Sequence, residues 1–186
     1  MATISKSKGL WRIGLWGGAV ALLAAPWIAM RFTPEVKWTA LDFGTFGGML
    51  LTALVAFEIV ARLSGSPGYR AAWSVALLGA FLLVWAHLAV GIIGATNDAA
   101  NRVLLAIPVV WGLGALASRF RARGLAVTLL AVAVTQVAIG LLALSAGYRI
   151  IGPTVVFAGL WLLSAGLFYR AAGQAAAASQ NSILRG

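Results

Sequence analysis

Residues 125–147 read LAVTLLAVAVTQVAIGLLALSAG, an unbroken run without a charged side chain. A helix crosses about 30 Å of hydrocarbon with about 20 predominantly apolar residues, so this run is long enough to span a bilayer. Five further apolar runs accompany it, at Ile13 to Met30, Phe43 to Ala61, Ala71 to Ile93, Val103 to Ser118 and Ile150 to Tyr169. Of the 186 residues, 62% are hydrophobic and 10% are charged. Mean hydropathy is +0.97. A water-soluble domain of this size has too much surface for its volume to hide that much apolar side chain. The fold expected is an all-α integral membrane protein, a bundle of six transmembrane helices with short loops. It occupies residues 1–170 as a single domain, followed by a short cytoplasmic tail at 171–186. That tail is rich in alanine, glutamine and serine and reads as a helical extension or as disorder.

The fourth run is the weakest, because Pro108, Gly112 and Gly114 interrupt it. Charge bias defends it. With the N-terminus in the cytoplasm, Lys6, Lys8, Arg12, Arg62, Arg70, Arg119, Arg121, Arg123, Arg170 and Arg185 face inward, and Arg31, Lys37, Arg102 and Arg149 face outward. The resulting 10 against 4 is the positive-inside asymmetry. Removing the fourth span sends Arg119, Arg121 and Arg123 outward and reverses it. Both termini are therefore expected in the cytoplasm. The first run continues through Pro26 and Trp27, which reads as an uncleaved helix rather than a signal peptide. Trp11, Trp16, Trp27, Trp38 and Trp73 fall near span ends, where indole rings anchor at the interface.

The net charge of +10 is distributed over short loops between apolar runs. That pattern points to anionic lipid headgroups on the cytoplasmic face and away from nucleic acid. Arginine outnumbers lysine 11 to 3. With the alanine and glycine bias, this suggests a GC-rich bacterial source and hence the bacterial inner membrane. Cysteine is absent, which excludes disulfides, thiolate metal sites and cysteine nucleophiles.

Few side chains are left to carry chemistry. Glu58 is the one acid inside a span, and an ionisable group in hydrocarbon is a functional candidate by default. Arg62 follows it by four residues on the same helical face, so the simpler reading is a local ion pair near the cytoplasmic end. His87 is the sole histidine. Without cysteine it cannot build an ordinary zinc site within one chain, so no metal site is expected. A haem ligated by His87 with Met30 or Met49 is the chemical alternative to a hydrogen-bonded structural histidine. Gln136, beside Thr135 in mid-span, is expected to hydrogen-bond a neighbouring helix. Thr39 and Asp42 have the spacing of a capping box opening the second helix. Asn97, Asp98 and Asn101 form an expected tight outer turn whose oxygens also suit a cation, with Arg102 opposing it. Gly14 with Gly18, and Gly44 with Gly48, permit close helix approach or dimerisation. No Walker loop, dinucleotide fingerprint, HExxH or GxSxG is present, and no cofactor is called for.

Several segments carry a resemblance: Leu41-Asp42-Phe43, Ala89-Val90-Gly91-Ile92-Ile93-Gly94, Asn97-Asp98-Ala99-Ala100-Asn101 and Arg119-Phe120-Arg121-Ala122-Arg123-Gly124. Together with the closing run from Trp161 to Phe168, they resemble an uncharacterised family of small polytopic bacterial inner-membrane proteins. The likeness implies a topology and no activity.

No catalytic set emerges. The function expected is that of a non-catalytic membrane protein, an accessory or assembly subunit binding other membrane proteins or lipid. A small carrier or channel, acting alone or as a homo-oligomer and lined by Glu58, His87 and Gln136, is the alternative. A redox or haem protein using His87 is the second.

Overall fold

A computed structural model describes residues 3–63, 66–95 and 99–184, the side chains of 3–11, 63 and 99 excepted. Every regular element among them is helical. In chain order these are α1 (Thr3–Phe32), α2 (Ala40–Leu63), α3 (Pro67–Ala89), α4 (Ala99–Arg102), α5 (Ala106–Ala117), α6 (Ala122–Ser145) and α7 (Ile151–Ile183). A single 3-10 turn, Val103–Leu105, joins α4 to α5. Six stretches are long and apolar enough to cross a membrane, the fourth being Ala100–Ala117 across that joint. The protein is an all-α, multi-pass membrane protein. The chain divides into two compact units, residues 1–58 and 59–186.

In the first unit, α2 begins where the capping-box spacing places it. The Asp42 carboxylate accepts from the Thr39 backbone N–H at 2.7 Å, and the Thr39 hydroxyl oxygen accepts from the Asp42 N–H at 3.3 Å. Two orphan donors of the first turn are thus satisfied reciprocally. Trp38, just before the cap, sets its ring edge-on to Phe43 and Phe46 at 5.2 and 5.3 Å. Such an aromatic group fixes the angle at which the chain enters the helix.

The second unit holds a buried core. Helices α6 and α7 make its most extensive contact, followed by α3 with α7 and α5 with α6. Lipid tails are as apolar as leucine, so helices associate here through close packing and interhelical hydrogen bonds. Small residues supply the approach. Ala72, Ala76 and Gly79 line one face of α3, and a Cβ on Gly79 would sit 3.1 Å from the Trp161 ring. On α6, a Cβ on Gly140 would meet the Thr154 side chain of α7 at 2.5 Å. Trp161 and Phe168 are fully enclosed.

Helix ends follow recognisable chemistry. At the end of α6, Gly147 takes φ +91°. Its N–H donates to the Leu144 carbonyl, and the Tyr148 N–H to that of Ala143. This is a Schellman stop built on glycine. The end of α5 repeats the bonds, with Arg119 N–H to Leu116 and Phe120 N–H to Ala115. There, however, Arg119 and Phe120 adopt φ of 51° and 59°. Pro108 lies in the first turn of α5, where its missing N–H has no intrahelical partner to lose. Helix α7 runs on to Ile183, so the alanine-rich stretch after residue 170 is helical.

Candidate functional site

Among the described residues of unit 59–186, four polar side chains are buried: His87, Asn101, Gln136 and Ser164. In hydrocarbon such groups need partners inside the protein. Two have found them on neighbouring backbone. The Ser164 hydroxyl of α7 donates to the Ala72 carbonyl of α3 at 2.7 Å. Asn101 Oδ1 accepts from the N–H groups of Ile92 and Ile93 at 2.9 and 3.2 Å, while Nδ2 donates to the His87 carbonyl at 3.3 Å. One amide therefore closes the C-terminal end of α3 and fixes the turn that leaves it. The sequence suggests a tight turn around Asn101 on the outer side of the membrane; the structure encloses the Asn101 side chain itself. Asn97 and Asp98 lie outside the described residues.

His87 and Gln136 differ. His87 Nδ1 and Gln136 Oε1 are buried with no hydrogen-bond partner among the described residues, as are the indole N–H groups of Trp111 and Trp161. A buried polar atom left without a partner is costly and calls for an explanation. Trp111 and Trp161 belong to one aromatic chain with Trp73, with ring centroids 5.5 Å apart for Trp73–Trp111 and 6.5 Å for Trp111–Trp161. Trp73 also packs against Phe168 and Phe120. Its sequence position near a span end suggests an interfacial anchor, yet its ring belongs to the core. The small α3 residues that make room for α7 account for that inward placement, and no local signal distinguishes it from Trp27, which is exposed.

The first unit contains the other intramembrane candidate. Glu58 Oε2 accepts from Arg12 Nη2 of α1 at 2.6 Å, and the pair forms a salt bridge across the two helices. The local i, i+4 reading gave no hint of Arg12, because a contact between residues 46 apart leaves no periodic trace. Asp42 is held by its capping role and is exposed.

Four exposed arginines sit in the turns between α5, α6 and α7 or at the start of α6. Arg119, Arg121 and Arg123 are all exposed around the turn from α5 to α6. The Tyr69 hydroxyl of α3 donates to the Phe120 carbonyl at 2.7 Å and so holds that turn from the side. Arg149, also exposed, occupies the turn from α6 to α7. Among the described residues, no group of three or more histidine, cysteine, aspartate or glutamate side chains comes together to hold a metal ion.

No family model matches this chain, and neither a curated protein nor a solved structure shows significant similarity to it.

Proposed function

We propose that this protein is a non-catalytic accessory or assembly subunit of a bacterial inner membrane, threaded with both termini in the cytoplasm. The observation that carries the reading is the use made of Asn101 and Ser164. Both are buried, and both grip the backbone of another segment rather than presenting a side chain to a cavity. Polar groups used in this way hold helix against helix. The outer face of α6 supports the same reading. Val127, Val134 and Leu141 recur at seven-residue spacing and are well exposed, a surface suited to lipid or to a helix of another membrane protein. Quantitative mass spectrometry of the protein extracted in native lipid tests it. A stoichiometric membrane-protein partner, retained through two purification steps, is the expected result.

A second reading, a small carrier or channel, draws on the buried and unpartnered atoms of His87 and Gln136. Intramembrane polar groups of that kind mark substrate or ion paths in other membrane proteins. Solute flux into vesicles containing the pure protein, lost on Gln136→Leu, would favour it over the subunit reading.

A further inference from the structure

We propose that the Arg149 end of unit 59–186 is a binding site for one anionic phospholipid, its phosphate on Arg149 and one acyl chain in the adjoining hollow. The site requires only that the chain spans a membrane, and stands whether or not the subunit reading holds. A hollow of about 410 Å³ lies between the end of α3 and the start of α7, walled by Ala86, Val90, Ile92, Pro153, Val156 and Phe157. Arg149 stands at the same hollow and supplies its charge.

Three features select a phospholipid. The first is depth. The flanking spans end at Ala89 and Ser145 and resume at Ile151, so Arg149 lies at the edge of the apolar zone. Phe157 lies six residues into α7, about 9 Å further in at 1.5 Å per residue. Charge at the rim and apolar wall below is the polarity profile of a phosphate ester joined to an acyl chain.

The second is charge. Arg149 makes no hydrogen bond or ion pair with the described residues. All three described acids, Glu35, Asp42 and Glu58, belong to residues 1–58, and Asp98 lies outside the described residues. No described carboxylate of this unit can therefore answer Arg149. A guanidinium at a membrane edge meets phosphate oxygens in a bidentate geometry that a lysine cannot reproduce.

The third is the start of α7. Its N-cap, Ile150, offers no side-chain hydrogen bond. The N–H groups of Ile151 and Gly152 therefore stay unbonded within the helix, at the positive end of a 33-residue dipole beside Arg149. Arginine and a hollow with apolar walls meet at one place, and the free amides belong to the two residues between Ile150 and Pro153, which both line it.

Native mass spectrometry of the full chain, released from detergent micelles, tests the proposal. Dioleoyl phosphatidylglycerol, diolein and glycerol 3-phosphate are offered separately, supplying chain with phosphate, chain alone and phosphate alone. The expected result is one saturable phosphatidylglycerol, with neither other probe retained at the same concentration. Arg149→Gln should weaken retention about tenfold, the scale of one charged hydrogen bond, and Arg149→Lys less. Val156→Trp, at an exposed wall position, should fill the hollow and abolish retention. Unchanged thermal unfolding of these variants identifies the loss as one of binding. Equal retention by wild type and both Arg149→Gln and Val156→Trp would overturn the site. So would diolein or glycerol 3-phosphate binding as well as the phospholipid. A marked rise in retention on Asp98→Asn would also overturn it, by making Asp98 the counter-charge of Arg149.

Discussion

Arg12 and Glu58 meet across α1 and α2 with Nη2 2.6 Å from Oε2. The acid is the more enclosed partner, its side chain 15% exposed against 42% for the arginine. Geometry of this kind ties the two helices together. Glu58→Gln keeps shape and removes charge, and should lower stability in detergent by about 1.5–3 kcal/mol, the range for hydrogen bonds to charged groups. The half-exposed arginine places the value toward the lower end, since solvent screens it. Thermal unfolding of both single variants and of Arg12→Gln/Glu58→Gln checks this. A double variant no worse than Glu58→Gln alone demonstrates the coupling, whereas simple addition of the two losses would show that the residues act separately.

Two helical glycines should respond in opposite directions to alanine. At Gly79 a new Cβ falls 3.1 Å from Trp161, a ring that is fully enclosed. Gly79→Ala should therefore cost about 1–3 kcal/mol, as overpacking does. At Gly112 nothing lies within 4 Å of the added atom. Gly112→Ala should gain about 0.5–1 kcal/mol by lowering the backbone entropy lost on folding. Midpoints of thermal unfolding measured side by side decide the matter, and a neutral Gly79→Ala would mean that Trp161 can shift.

Asn101 gives the largest expected single loss. Asn101→Ala strands the N–H groups of Ile92 and Ile93 and the His87 carbonyl. Each buried group left unpaired costs about 1–3 kcal/mol. Asn101→Asp keeps an acceptor for the two N–H groups and should retain part of that loss, though its charge is poorly tolerated in a fully enclosed place. Hydrogen exchange at residues 92 and 93 should accelerate in Asn101→Ala well before the bundle unfolds.

The six spans were legible because hydrocarbon imposes length and apolarity on every crossing helix, and both are properties of local sequence. The start of α2 was legible for the same reason: Thr39 and Asp42 are three residues apart. Arg12 with Glu58, Ser164 with the Ala72 carbonyl and Asn101 with the end of α3 are long-range pairs, and in each of the last two the partner is a backbone atom that every residue possesses. Even Pro108 misleads for a physical reason. It looks like an interruption of the fourth span until the 3-10 turn at Val103–Leu105 shows that α5 starts just before it.

Threading is open to direct test because the native chain has no cysteine. With both termini in the cytoplasm, the α5–α6 turn faces inward and the α6–α7 turn outward. A cysteine replacing Ser145, exposed at the end of α6, should react with an impermeant thiol reagent added to intact cells. One replacing Ser118, at the end of α5, should react only after the membrane is opened. Reversed labelling would turn the whole bundle over, and labelling of both positions from outside would remove a span between them.

The turn after α5 stops the helix with an arginine where α6 uses a glycine. Arg119 and Gly147 occupy the same place in the same hydrogen-bonded stop, at φ 51° and +91°. A side chain in the left-handed region costs about 1–2 kcal/mol that glycine does not incur. Phe120, at φ 59°, adds a second residue of the same kind. The Tyr69 hydroxyl on the Phe120 carbonyl and the Phe120 ring against Trp73 hold the turn in this form. Arg119→Gly should thus raise stability by about 1 kcal/mol, since the bonds to Leu116 and Ala115 use backbone alone. Tyr69→Phe should lower it by about 0.5–1.5 kcal/mol through the lost hydrogen bond. In the combined variant the relaxed turn relies less on Tyr69, and the penalty of Tyr69→Phe should shrink. Thermal unfolding of the four proteins in one detergent measures that coupling. A destabilised Arg119→Gly would mean instead that the arginine side chain contributes more than its backbone strain costs, through headgroup contact at the membrane edge, and repeating the scan in anionic bicelles would then widen the gap.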